Sequence, residues 1–275
     1  MSNYKLSIIT INLNNLSGLK RTVESVVNQT WKDFEHIVID GGSTDGSAEY
    51  IQEMQEYFNF WVCEPDKGIY NAMNKGIKQS SSDYLLFLNS GDSFIDENSM
   101  ATIFDEINLN VDFISFAVID SLGKKSDAPK ILSAAFFLTN ILPHQSTLIR
   151  RNLFTEFLYN ENYKIVSEWE FFIRKIVIEG ASYVVLSKVI VCFDAFGISN
   201  QENYKTLQNE ERNQVIESVF SKPIQYDLYE LLELKQKLNK RRLRLIEEIE
   251  RSVFLSWCAT ILLLCLNFFN MRGRK

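Results

Sequence analysis

An α/β fold, a mostly parallel sheet flanked by helices, is expected for the first 200 residues on three grounds. Short uninterrupted apolar runs alternate with amphipathic stretches of helical period, and polar turns rich in Gly, Asn and Asp separate them. The composition, 46% hydrophobic and 23% charged over 275 residues, is that of a chain able to bury a large core. Apolar runs without alternation suit strands buried on both faces, whereas a sheet with one wet face would alternate.

Taken along the chain, Leu6-Ser7-Ile8-Ile9-Thr10-Ile11 is the first such run. Leu19, Val23, Val26 and Val27 then recur at helical spacing and predict a helix over 19–29. Ile37-Val38-Ile39 is the second strand, ending at Asp40-Gly41-Gly42-Ser43-Thr44-Asp45-Gly46. A helix over 46–57, a strand at Phe60–Cys63, a helix over 69–80 and a strand at Tyr84–Leu88 continue the alternation. Phe113–Val118 reads as a further strand, and Gly123–Asp127 as the polar turn of an edge hairpin or loop. Ligands of parallel sheets bind beyond the carboxyl ends of the strands, which singles out the loops 12–18, 40–45, 64–68 and 89–93. Each loop alone is compatible with plain turn chemistry, Ser43 or Thr44 serving as a helix cap. Four polar loops on one sheet edge make a site.

The net charge is −6, yet residues 235–275 carry ten Lys/Arg against three Glu, a local +7, which leaves −13 on the first 234. An acidic body argues against nucleic acid as a partner, since that needs a basic footprint. Cys63, Cys192, Cys258 and Cys265 are scattered without metal-ligand spacing, so neither a structural zinc nor a disulfide framework is expected. No cleavable signal pattern follows Met1, and a cytoplasmic location is expected.

The segments Thr10-Ile11-Asn12, Asn28-Gln29-Thr30, Val38 to Gly46, Asp66-Lys67-Gly68-Ile69-Tyr70-Asn71-Ala72-Met73-Asn74-Lys75-Gly76 and Phe87-Leu88-Asn89-Ser90-Gly91-Asp92 together resemble the family 2 glycosyltransferases over about residues 5 to 195. The resemblance implies a GT-A type fold with a Rossmann-like nucleotide-binding half. It also implies transfer of a sugar from a nucleotide-sugar to an acceptor hydroxyl. By the same resemblance Thr10, Asn12 and Asp40 contact the donor nucleotide, Asp66, Lys67 and Gly68 line its pocket, and Asn89 is a further donor contact. The family's Asp-x-Asp metal segment falls on Asn89–Asp92, where Asp92 is the one carboxylate left. One carboxylate with diphosphate oxygens and waters suffices for Mg²⁺ or Mn²⁺. Gly41 stands where the family often has a second Asp that meets the nucleobase.

In the second half, Glu168 of Val166-Ser167-Glu168-Trp169-Glu170 falls at the place of the family's catalytic base, with Glu170 in reserve. A carboxylate suits the task because the acceptor hydroxyl is a poor nucleophile until its proton is removed, and direct displacement inverts the anomeric centre. Read as structure alone, Glu168 is a first-turn charge complementing the helix dipole behind a Ser167 cap. His144 is a candidate contact to donor phosphate or acceptor, and Trp169 a candidate sugar-stacking face set against core packing. Lys164, Arg150 and Arg151 are candidate phosphate contacts.

Beyond residue 200 the chain divides into a helical extension, 201–251, and a hydrophobic helix with a basic end, 252–275. Leu231, Leu238 and Leu245 lie seven apart, a stripe that suits packing on the catalytic domain, a homo-oligomer or presentation of Lys235–Arg244 to anionic lipid. Residues 253–269 hold no charge and only Ser256, Thr260 and Asn267 as polar groups. Seventeen residues are short for a span, so a helix lying in the cytoplasmic membrane leaflet is favoured over a spanning one or a buried terminal helix. A membrane-held transferase implies a lipid-linked glycan acceptor in polysaccharide or oligosaccharide assembly. Two rivals are a sugar nucleotidyltransferase, for which 12–20 lacks the basic Gly-rich loop, and a non-catalytic scaffold, against which Asp92 and Glu168 speak.

Overall fold

The computed structural model describes residues 4–106, 110–194, 204–238 and 248–272. It divides into two compact units, Met1–Val219 and Phe220–Lys275. In the first, the strands β1 (Leu6–Asn12), β2 (Phe34–Asp40), β3 (Phe60–Cys63) and β4 (Tyr84–Phe87) run parallel in the order β3-β2-β1-β4. Helices α1 (Leu16–Val27), α2 (Ser47–Glu53) and α3 (Ile69–Gln79) connect them. The burial of β1 and β4 is complete, as their unbroken apolar runs require.

Beyond β4 the sheet changes character. After β5 (Ser93–Phe94) and α4 (Ser99–Glu106) come β6 (Phe113–Asp120), β7 (Lys125–Ser126), a short α5 (Ala134–Phe137), β8 (Thr147–Arg150), α6 (Ser167–Phe172) and β9 (Tyr183–Phe193). The sheet continues β4-β8-β6-β9-β5, with β8 antiparallel to both β4 and β6 and β9 parallel to β6. β7 folds back on β6, so the polar turn at 123–127 is a hairpin. Because β8 runs opposite to β4, its end at Arg150 pairs with Tyr84 at the start of β4.

The helix α7 (Lys205–Val219), expected to belong to the extension, falls inside the first unit. Its Val215 and Ile216 are buried, and Glu211 accepts from the backbone N–H groups of Lys164 and Ile165 at 2.8 and 3.0 Å. Those amides precede α6, so α7 braces the segment carrying Glu168. The second unit holds α8 (Lys222–Leu238) and α9 (Val253–Arg272). Positions 239–247, with Leu245 and most of the basic segment, lie outside the described residues. Among the described residues no helix is long and apolar enough to cross a membrane.

Candidate active site

The four loops at the carboxyl ends of β1–β4 are tied to one another. Asn12 Nδ2 donates to Asp40 Oδ2 at 2.7 Å, joining the ends of β1 and β2. Asn14 Oδ1 accepts from the Thr44 N–H at 2.8 Å, and Asn15 Nδ2 donates to the Ser90 carbonyl at 3.1 Å. A Cβ on Gly41 would collide with the Asp66 carboxylate, so the absence of a side chain there lets Asp66 lie against the 40–43 loop.

Several expected contacts are spent inside this frame. Asp40 is fully buried and accepts from the Gly42 and Ser43 amides, from Ser43 Oγ and from Asn12, which makes it the organiser of its loop. Thr10 is fully buried with its hydroxyl 3.0 Å from His36 Nε2, and that partner withdraws it from the donor side. Asn12 keeps one group in reserve, since its buried Oδ1 has no partner. Asp66 accepts from the Gly68 N–H at 2.8 Å, and Lys67 and Gly68 are exposed, with Gly68 at φ +121° before α3.

The loop after β4 is held from α1. Arg21 donates through Nε and NH2 to the Gly91 carbonyl at 3.1 and 2.8 Å, and Thr22 Oγ1 donates to the Asp92 carbonyl at 2.6 Å. Gly91 sits at φ +110°, a conformation that favours glycine. Asp92 is 5% exposed; Oδ1 accepts from the Asp194 N–H at 3.1 Å, and burial pushes the carboxyl up to about 7. Among the described residues no group of three or more His, Cys, Asp and Glu is placed to hold a metal unaided. The oxygens present fit a hard cation shared with a diphosphate: Asp92 would supply the carboxylate, and the buried Asn89 Oδ1 has no partner.

Glu168 enters from the opposite side, in the first turn of α6. It is 5% exposed, and Tyr70 on α3 donates its hydroxyl to Oε2. His144, in the single turn His144–Ser146 before β8, places Nδ1 3.7 Å from Glu168 Oε1 and Nε2 3.3 Å from Asn89 Nδ2. Burial lowers the His144 pKa, with the Glu168 charge pulling the other way. His144 therefore stands between Asn89, to which it is hydrogen bonded, and Glu168, which it faces at 3.7 Å without a hydrogen bond. Ser167 is not the α6 cap; its hydroxyl accepts from the Asn160 N–H at 2.5 Å, and Val166 holds the cap position without a side-chain bond.

Four expectations are corrected. Trp169 is 1% exposed, its Nε1 donates to the Phe137 carbonyl at 2.7 Å and Arg212 lies over its ring, so it is core and cannot stack on a sugar. Glu170 is buried and paired with Arg174 one turn on at 2.8 Å, which removes it as a reserve base. Arg150 donates to Tyr84 Oη and Arg151 to the Ser82 carbonyl. Both bind at the start of β4, the sheet edge away from the site, because β8 runs antiparallel. The residues that sequence reasoning passed over are Tyr70, Asn71 and Asn74, quoted above only as parts of a motif. Their signal was a polar Asn74 on the buried stripe Tyr70, Met73, Ile77 of α3.

Comparison with known proteins bears on this arrangement. A sequence signature described as Glycosyl transferase family 2 matches residues 7–166. An uncharacterised glycosyltransferase of Mycobacterium tuberculosis is 32% identical over 203 residues, 71% of this chain and 77% of the relative. A PGL/p-HBAD biosynthesis glycosyltransferase of Mycobacterium bovis is 31% identical over 179 residues, 61% of this chain and 68% of the relative. Among solved structures, S. aureus TarS 1-349 superposes with a TM-score of 0.64 at 15% identity, covering 86% of this chain and 73% of TarS 1-349. The mannosyltransferase PcManGT from Pyrobaculum calidifontis, in complex with GDP-Man and Mn²⁺, gives 0.60 at 12% identity, covering 78% and 63%. The structural likenesses carry the GT-A fold and the sequence matches carry the kinship: the chain is a glycosyltransferase and belongs to glycosyltransferase family 2.

Proposed function

We propose that this chain transfers a sugar from a nucleoside-diphosphate sugar to a hydroxyl of a lipid-linked glycan, with inversion, using Glu168 as base. One observation carries the reading: a nearly buried carboxylate, Glu168, faces the open carboxyl edge of the sheet through His144 and Asn89. The donor lies over that edge, against Asp66, Lys67, Gly68, Asn12 and Asn89. The acceptor hydroxyl gives its proton to Glu168 as its oxygen attacks the anomeric carbon from the face opposite the diphosphate, whose bond to that carbon breaks. Burial lowers the His144 pKa, which weakens the imidazole as a rival acceptor of that proton. Lys67, exposed at the donor loop, offers a cation to the departing phosphate. Asp92 would hold a divalent cation, which when bound neutralises charge on the diphosphate.

The lipid linkage is supported by α9, where Val253, Phe254, Trp257, Leu262 and Leu264 are 62–88% exposed. Such a helix, flanked by basic residues, attaches peripherally to an anionic cytoplasmic leaflet. The test is a thermal shift of the full chain in detergent with UDP, GDP, CDP and dTDP, with and without Mn²⁺ or Mg²⁺. Nucleotide release from the sugar donor of the shifting base then follows. A cation-dependent shift for one nucleotide is expected, about 2.7 kcal/mol at 100 times its dissociation constant; no shift from folded protein overturns the reading.

A further inference from the structure

The helix that follows the donor loop also grips the segment that carries the base. Gly68 is the N-terminal cap of α3, and Tyr70 lies in its first turn, 2% exposed, with its hydroxyl donating to Glu168 Oε2. From the same helix Asn71 Nδ2 donates to Glu161 Oε2 at 2.8 Å and Asn74 Nδ2 to Glu161 Oε1 at 2.9 Å. Asn74 also binds Tyr159 twice, donating to its carbonyl at 2.8 Å and accepting from its N–H at 3.1 Å. Three side chains of α3 thus fix the stretch 159–168 before the chain enters α6.

The groups facing the Glu168 carboxylate are Tyr70 from α3, Tyr159 from the preceding loop and His144 from its single turn. Tyr159 Oη has no hydrogen-bond partner, and His144 Nδ1 at 3.7 Å is beyond hydrogen-bond reach. Among the described residues Tyr70 is therefore the one side chain hydrogen bonded to that carboxylate. That one donor engages Oε2 and leaves Oε1 facing His144 at 3.7 Å without a hydrogen bond.

We infer that Tyr70 is a positioning residue for the base: it engages Oε2 of Glu168 so that Oε1 meets the acceptor hydroxyl, and α3 keeps that oxygen in register with the donor loop Asp66–Gly68. This rests on Glu168 being the base. The consequence is that the donor loop and the base move as one piece, so the two substrates meet in a geometry set by a single helix.

The test uses the full chain and Tyr70→Phe, which keeps the ring. Probe donors are UDP-glucose, UDP-N-acetylglucosamine and GDP-mannose, read by nucleotide release. Expected are an unchanged donor KM and a kcat lower by about ten- to a hundredfold, the scale of a displaced reacting group. Carboxylate infrared difference spectra, with Glu168→Gln as blank, should show a shifted band without turnover, because Oε2 loses the hydroxyl that donates to it. In the Glu168→Gln background Tyr70→Phe should add nothing. Unchanged kcat and an unchanged carboxylate band in a folded Tyr70→Phe would overturn the role of Tyr70 alone, whereas full activity of Glu168→Gln would overturn the base assignment beneath it.

Discussion

The two ends of the parallel strands bury polar groups to similar depth and treat them oppositely. At the amino ends Glu35, 6% exposed, accepts from the Ser81 N–H at 2.6 Å, Ser81 Oγ at 3.1 Å, the Ser82 N–H at 3.3 Å and Ser7 Oγ. Arg151 closes the same corner on the Ser82 carbonyl at 2.7 Å. At the carboxyl ends Asn12 Oδ1 and Asn89 Oδ1 are buried without a partner, and Glu168 has one donor. A buried polar atom left unpaired costs about 1–3 kcal/mol. The Glu35 corner is satisfied from within the chain, while the carboxyl end keeps buried acceptors that the chain's own groups leave open, as sites commonly do.

The sharpest way to break this contrast is Glu168→Gln. A general base contributes about 10²–10⁴ in rate, so steady-state transfer should fall by roughly 10³-fold. Donor binding, read by thermal shift, should persist. A comparable loss from Glu35→Gln in folded protein would dissolve the distinction between the two ends.

Asp92 probes the carboxyl end through pH. Its folded pKa, raised to about 7 by burial, lies above the ordinary value near 3.9, so the folded state holds the proton that the unfolded state releases first. Stability in EDTA should therefore fall as pH rises from about 4 to about 7. Asp92→Asn should remove that slope and exceed the parent above pH 7 by up to about 3 kcal/mol. A flat profile in the parent would place the carboxylate in contact with water. Glu35→Gln is the amino-end counterpart: it strips charge-assisted bonds from a satisfied network and should cost about 2 kcal/mol in a denaturant titration with kcat unchanged.

The first half of the sheet was legible because parallel strands are local in sequence: an apolar run, a polar loop and an amphipathic helix appear consecutively, and the loops fall on one edge by construction. The mixed second half was not. β6 pairs with β9 across about seventy residues, and no periodicity reports a partner that distant. The same limit governed the site. Glu168 was placed by family pattern, but its partner Tyr70 is 98 positions away, and Trp169 and Glu170 share its hydrophilic-looking segment while facing the core. The direction of β8, invisible locally, decided that Arg150 and Arg151 serve the far edge.

The smallest expected effect separates two tyrosines of one pocket. Tyr70 and Tyr159 are both buried, their ring centroids are 5.8 Å apart, and burial with the nearby Glu168 charge raises both well above the ordinary phenol range. Only Tyr70 reaches the carboxylate. The Tyr159 ring packs against Phe87, Phe154 and Phe171 at 5.3–5.5 Å, contacts that phenylalanine reproduces. Tyr159→Phe should therefore raise stability by up to about 1 kcal/mol, a melting shift of roughly 2–4 °C, and leave kcat where it is. A stabilised enzyme with lowered kcat would mean that the orphaned hydroxyl meets the acceptor, and Tyr159 would then join Asn12 and Asn89 among the groups left open for a substrate.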